Sequence, residues 1–195
     1  MAAPQEFNFG IAGTFARHGA KVSVASRKQE NVDTAVNSIA EAGGKVTGVV
    51  ADVRDFAAVG RAFETACAQF ESIDVLVSGA TSNFLAPINE LSPNGFRVVV
   101  DIDLIGTFHV MRAAFPHLTK PGASVINITA PQSFIPMRYQ ANVCAAKAGV
   151  DQMTRVMALE WGGDGIRVNA ISPGPIAGTE GAKTSFPARL GRESN

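Results

Sequence analysis

An excess of charge of either sign is missing from this 195-residue sequence: Lys plus Arg and Asp plus Glu both number 17, and the formal net charge is zero. With a pI near 6.8 there is no basic field for a nucleic-acid backbone or an acidic membrane surface, and a small-molecule partner is favoured. Cysteine is scarce. Cys67 and Cys144 are the only two; both fall on segments of helical period, without a signal peptide or a long apolar run, which points to free thiols in a reducing compartment. The chain reads as soluble, intracellular and cytoplasmic, with a peroxisomal location left open. His18, His109 and His117 lack metal-ligand spacing, and beside two distant cysteines they make a metal site unexpected. Tyrosine occurs once, at Tyr139.

What is present is an apolar fraction of 46% with 19 glycines, the composition of a packed α/β protein and not of a disordered one. The length fits one domain, 1–195, with 1–9 and 182–195 irregular. KVSVAS (21–26), KVTGVVA (45–51), IDVLVSG (73–79), SVINIT (124–129) and IRVNAIS (166–172) are short aliphatic runs that fit strands buried on both faces. Between them lie helical segments. FARHGA (15–20) ends a first helix at Gly19, and 28–43 places Val32, Ala35, Ile39 and Ala42 on one face. Further helices are expected over 55–70, 93–118 and 142–162. Strand and helix alternating in this way imply a doubly wound parallel sheet, Rossmann-like and three-layered, which binds ligands beyond the carboxyl ends of its strands. SPGPIAGTEGAKTSFPARLGRESN, rich in Gly, Pro and Ser, reads as a closing loop.

Two parts of such a fold are missing from the pattern. An opening strand running into a glycine-rich turn normally receives a pyrophosphate on a helix N-terminus. Here MAAPQEFNFGIAGTFARHGA has no strand before Gly10, and Gly10 with Gly13 reads as helix packing. No aliphatic strand follows Gly181. Either the chain is truncated or residues are omitted from its consecutive numbering. Omission is favoured, because loss of the first strand would open the middle of a parallel sheet.

The sequence resembles the short-chain dehydrogenase/reductase family over nearly all of 8–181. The resemblance is carried by ASRK (25–28), ADV (51–53), VLVSGA (75–80), DIDLIGTF (101–108), INIT (126–129), Lys147, LEWGGDGIRVNAISPGP (159–175) and TEG (179–181). Within the family it looks most like the 2,4-dienoyl-CoA reductases of peroxisomal type and their bacterial relatives, because of three joint departures. Val143 stands where the family tyrosine belongs, Ala130 where its serine belongs, and Asp103 where most relatives have asparagine. Tyr139 does not substitute, since four residues of helix displace it by about 6 Å along the axis. Loss of the phenolic acid alone costs a carbonyl reductase about a hundred- to ten-thousandfold, so ordinary ketone or alcohol chemistry is disfavoured.

The resemblance implies an NADP-dependent enzyme acting on an acyl-CoA thioester. Asp103 would assist protonation of carbon through water, and Lys147 would position the nicotinamide ribose. The pair would be a coupled acid and base. Ser26, Arg27 and Lys28 at the end of KVSVAS, the place of the family's second strand, carry no carboxylate, so NADPH is favoured over NADH. A charge-assisted bond from Arg27 to a 2′-phosphate would contribute about 1.5–3 kcal/mol. Asp52 and Val53 match the family's adenine site, and Ser78, Gly79 and Ala80 its NNAG motif, in which Thr81 replaces the last glycine. Pro173, Gly174, Ile176 and Thr179 match the segment flanking the nicotinamide. Gln132 and Ser133 are candidates to touch substrate, and Phe84, Phe134 and Met137 to line an acyl channel. The helices over 93–118 and 142–162 are apolar around much of their circumference, and such surfaces find partners; the resemblance implies a homotetramer. Two alternatives stay open: an oxidoreductase with another substrate, or a non-catalytic relative that binds ligand or assembles with a partner.

Overall fold

The computed structural model describes residues 6–174 and 176 of the chain. Its first helix, α1 (Glu6–Arg17), begins inside the stretch expected to be irregular, so Glu6–Phe9 are helical. No proline interrupts EFNFGIAGTFAR, and packing against β1 offsets the roughly 1 kcal/mol that each of Gly10 and Gly13 costs a helix. The helix stops at Gly19, whose φ of +87° is open to glycine without a Cβ penalty.

The aliphatic runs all become strands. β1 (Lys21–Ser26) pairs in parallel with β2 (Lys45–Val50), in register from Lys21 with Lys45 to Ser26 with Val50. The crossover between them is α2 (Gln29–Glu41), which buries Val32 and Ile39. Ala42, expected on that face, is instead its exposed C-cap. α3 (Phe56–Phe70) begins at an Asp55 cap whose carboxylate accepts from Ala58 N at 3.0 Å. A second parallel sheet has the order β3 (Val75–Ser78), β4 (Ser124–Ile128), β5 (Arg167–Ile171).

Among the described residues β1 and β3 share no ladder, so the doubly wound sheet is in two parts. Folds of this kind run 3-2-1-4-5-6 across the sheet. β2 and β1 fit positions 3 and 2, β3 to β5 fit positions 4 to 6, and no described strand stands at position 1. α1 touches both parts: it packs on β1, and Asn8 Nδ2 donates to the Gly79 carbonyl at 3.0 Å. This corrects the expectation of strands buried on both faces. β1 alternates between exposed and half-buried residues, and Val75 of β3 is exposed, because neither strand has a sheet neighbour on the side facing the other.

The interior lies against the three-stranded sheet, where Met111, Leu118, Ala123, Val125, Met157, Ile166 and Val168 form a buried cluster with Leu76, Phe115 and Trp161 at its margin. The segment 93–118 is not one helix. It divides into α4 (Pro93–Val100), a π-helical turn at Asp101–Ile105, α5 (Gly106–Ala114) and a 3-10 turn at Phe115–His117. α6 (Ala141–Trp161) is continuous and packs against α4, the π turn and β5. No helix among the described residues is long and apolar enough to cross a membrane.

Candidate active site

The π turn aims Asp103 into the protein. A π turn spends one extra residue per turn and re-aims the side chains on it. Here Asp103 becomes fully buried, at 0% exposure. Its carboxylate accepts three bonds: Oδ1 from Ser82 N at 2.6 Å, and Oδ2 from Thr81 Oγ1 at 2.7 Å and from Lys147 Nζ at 3.0 Å. Its main-chain carbonyl accepts from Thr107 Oγ1 at 2.6 Å, which occupies an acceptor that the widened turn would otherwise leave without an α-helical partner.

Lys147 projects from the apolar face of α6 with its side chain 5% exposed, and its Nζ reaches the Ile128 carbonyl at 3.5 Å as well as Asp103. An isolated ammonium in this setting would cost several kcal/mol, and the carboxylate opposite it offsets that. One turn earlier on the same helix Val143 is buried, so the position offers methyl groups and no hydroxyl. Tyr139 precedes α6, exposed, with φ of +66°. Ala130 leads into a 3-10 turn at Pro131–Ser133 and likewise brings no hydroxyl.

Polar contacts knit the surrounding loops to α6. Asn142 Nδ2 donates to the Phe84 carbonyl at 3.1 Å, and Gln132 Nε2 donates to Gln140 Oε1 at 2.9 Å. Phe84 and Phe134 are exposed, Met137 half-buried. Thr81, Ser82 and Asn142 are the site residues that sequence reasoning missed. Thr81 had registered only as a replaced glycine, yet its hydroxyl, within reach of an acidic side chain on a helix, was the available signal.

The candidates for a cofactor lie after the strand ends. Ser26 and Asp52 are neighbours through the β1–β2 ladder, with Ala51 N donating to the Ser26 carbonyl at 3.0 Å. Arg54 clamps Asp52 through Nε at 3.0 Å and its own backbone N at 3.0 Å. This bond, helped by the field of Arg27, lowers the Asp52 carboxyl from 3.8 to about 2. Arg27 is exposed, while Lys28 turns to Glu30 at 3.3 Å. Val53 is seated on α5: its carbonyl receives His109 Nδ1 at 2.8 Å, and a Cβ on Gly106 would meet Val53 Cγ2 at 2.6 Å. Ser78 is buried at the end of β3; Gly79 and Ala80 follow, half-buried. Pro173 and Ile176 are half-buried and Gly174 exposed; Thr179 lies outside the described residues.

Tested against a dinucleotide, the two ends fit and the middle does not. Arg27 and Ser26 present an exposed cation beside a hydroxyl for a phosphorylated ribose, and Lys147 with Asp103 supplies donors and acceptors at the other end. Gly10 and Gly13, however, lie within α1 and not in a strand-to-helix turn, so they form no pyrophosphate cradle. The Asn8 side chain also covers Gly79: a Cβ there would meet its Oδ1 at 2.5 Å. Among the described residues no group of three or more His, Cys, Asp or Glu is placed to hold a metal ion.

Parallel strands joined by helices, with a buried ammonium–carboxylate pair beyond their carboxyl ends, define a doubly wound α/β protein of the nucleotide-binding type. The family model described as enoyl-(acyl carrier protein) reductase matches residues 2–193. The peroxisomal 2,4-dienoyl-CoA reductase, (3E)-enoyl-CoA-producing, of Arabidopsis thaliana is 42% identical over 192 residues, covering 93% of this chain and 64% of its own length. Among solved structures, the citronellol catabolism dehydrogenase of Pseudomonas aeruginosa is 34% identical with a TM-score of 0.81, over 92% of this chain and 74% of that one. A variant of actinorhodin polyketide ketoreductase solved with NADPH has a TM-score of 0.86 at 26% identity, over 91% and 69%. The chain belongs to the short-chain dehydrogenase/reductase family. It spans just under two thirds of the length of the Arabidopsis relative.

Proposed function

We propose that this chain is an NADPH-dependent oxidoreductase that reduces a 2,4-dienoyl-CoA thioester, its whole length acting as one nucleotide-binding and catalytic domain. The observation that carries the reading is the buried Asp103–Lys147 pair at 3.0 Å beside Val143. The site thus holds a carboxylate and an ammonium where a carbonyl reductase needs a phenol. The likeness to the Arabidopsis 2,4-dienoyl-CoA reductase supports the substrate class.

A bound nicotinamide would supply a hydride to the far end of the conjugated diene, which would leave a dienolate with its charge on the thioester oxygen. That species requires a proton at carbon, and a water polarised by the Asp103–Lys147 pair supplies it. Lys147 would hold the nicotinamide ribose. Pro173, Gly174 and Ile176 would flank the ring, with Thr179 assigned to the same segment from sequence alone, and Ser78, Gly79 and Ala80 would back the cofactor at the carboxyl end of β3 with the Asn8 side chain moved off Gly79. Asp52 and Val53 would take the adenine, and Ser26, Arg27 and Lys28 the 2′-phosphate. NADPH in the ketoreductase neighbour is consistent with that choice. Exposed Phe84 and Phe134 offer apolar surface to the acyl chain.

The same reading gives a homotetramer working in the cytoplasm. It draws on apolar residues left in solvent on the π turn, α5 and α6: Ile105, Phe108, Val156 and Leu159, the last 84% exposed. Light scattering tests it, and a monomer at micromolar concentration would refute it.

A second reading, a non-catalytic relative that binds ligand or a partner, is favoured by one observation: no described segment forms the pyrophosphate cradle or the strand at position 1. Purified protein mixed with NADPH and a 2,4-dienoyl-CoA, followed by loss of nicotinamide absorbance, separates the two. Turnover abolished by Asp103→Ala supports the reductase; turnover of ketones instead supports another substrate; no NADPH binding supports the second reading.

A further inference from the structure

Asp103 has no exposed surface, whereas Thr81, whose Oγ1 donates to Asp103 Oδ2 at 2.7 Å, is exposed. Of the other donors on that carboxylate, Ser82 is half-buried and the Lys147 side chain is 5% exposed, so Thr81 is the most exposed of the three donor residues. Both Thr81 Oγ1 and Lys147 Nζ bond the same oxygen, Oδ2, so three groups stand in series: ammonium, carboxylate, hydroxyl.

We infer that Thr81 is a positioning residue for the reduction: its hydroxyl, donating to Asp103 Oδ2, holds that oxygen against Lys147 Nζ and so fixes the pair that orients the water which protonates carbon. This rests on the reductase reading above. With its proton directed at Oδ2, the hydroxyl transfers none itself. Water gives a proton to the dienolate carbon and takes one from Lys147 Nζ, which ends as an amine and regains its proton from solvent, while the substrate gains one C–H bond and loses the dienolate charge. Thr81→Val keeps the shape of the side chain and leaves Oδ2 one donor short.

The test uses Thr81→Val, Thr81→Ser and Asp103→Asn in the intact protein. Thr81→Val is expected to lower kcat by about tenfold to a hundredfold with KM for the dienoyl-CoA changed by no more than about threefold, the range for removing a hydrogen bond to a charged group. Thr81→Ser, which restores the hydroxyl, should recover kcat, and the solvent deuterium isotope effect on kcat should differ between the two. Because Thr81 acts through Asp103, adding Thr81→Val to Asp103→Asn should cost no further activity. Equal rates for Thr81→Val and wild type, failure of Thr81→Ser to recover, or losses that multiply in the double variant would each overturn the inference. An arm without turnover isolates it from the reductase reading. The Asp103 carboxylate stretch, assigned in the infrared difference against Asp103→Asn, should move in Thr81→Val and return in Thr81→Ser. If wild type oxidises no NADPH but the band moves, the reductase reading fails and the contact stands; an unmoved band sinks the inference.

Discussion

Removing either member of the Asp103–Lys147 pair should unfold this protein far more readily than removing any surface charge, and the two removals should not cost the same. At 3.0 Å and an effective dielectric of about 20, two unit charges attract by about 5–6 kcal/mol, most of which desolvation takes back. A partner left behind, however, is a buried charge with nothing opposite it. In Lys147→Met, Asp103 keeps two donors, Thr81 Oγ1 and Ser82 N, and the expected loss is about 3 kcal/mol. In Asp103→Leu, Lys147 keeps only the Ile128 carbonyl at 3.5 Å, and both Thr81 and Ser82 lose an acceptor. The expected loss is about 4–5 kcal/mol. The double variant should lose about 2–3 kcal/mol, less than either single change summed with the other, because no ion is left stranded. Urea unfolding read by circular dichroism and by the single tryptophan, Trp161, whose ring lies 5.0 Å from that of Phe115, measures all four proteins. Single variants that each cost less than about 1 kcal/mol, the range of exposed pairs, would mean that water reaches the site and that the buried-pair argument is wrong.

Arg54 holds the Asp52 carboxyl at about 2 instead of 3.8, and a depressed carboxylate contributes stability that is complete above the unfolded value and disappears as pH falls through the folded one. Wild type should be slightly more stable than Arg54→Ala near neutrality, since the pair is largely solvated. The gap should close between 3.8 and about 2, which denaturant titrations at a series of pH values would follow. Gly106→Ala drives a methyl group into Val53, 2.6 Å from its Cγ2, and should cost about 1–3 kcal/mol as overpacking; an unchanged melting temperature would show that Val53 is free to move. Arg27→Ala should raise KM for NADPH by roughly tenfold to a hundredfold while leaving NADH unaffected, as expected for a lost charge-assisted bond to the 2′-phosphate. Equal effects on both cofactors would place Arg27 elsewhere.

Much of the scaffold is visible along the chain because its causes are local. KVSVAS becomes β1 with the expected bounds, because a short run that alternates Val22 and Val24 with small residues after the Gly19 stop has few alternatives in an alternating strand and helix pattern. Ser92 accepts from Gly95 N at 3.0 Å and starts α4 where Pro93 was the first expected helical residue. Lys147 was conspicuous for its alanine neighbours, an apolar setting that a solvated lysine does not choose.

Other features depend on groups far apart in sequence. The break of 93–118 at Asp101–Ile105 has no proline to announce it; the widened turn accompanies a carboxylate bonded to Thr81, Ser82 and Lys147, and local propensity does not sense that capture. Nor does composition show that Arg54 would occupy Asp52, or that Asn8 would lie over Gly79. The sequence by itself determined which segments are strands and helices, and which ionisable residues fall on apolar faces. Only the tertiary structure decided that the sheet lies in two parts among the described residues, and that Asp103, Lys147 and Thr81 converge. Periodicity acts over a few residues, whereas strand pairing and charge pairing are set by which distant surfaces the packed core brings within a few ångströms.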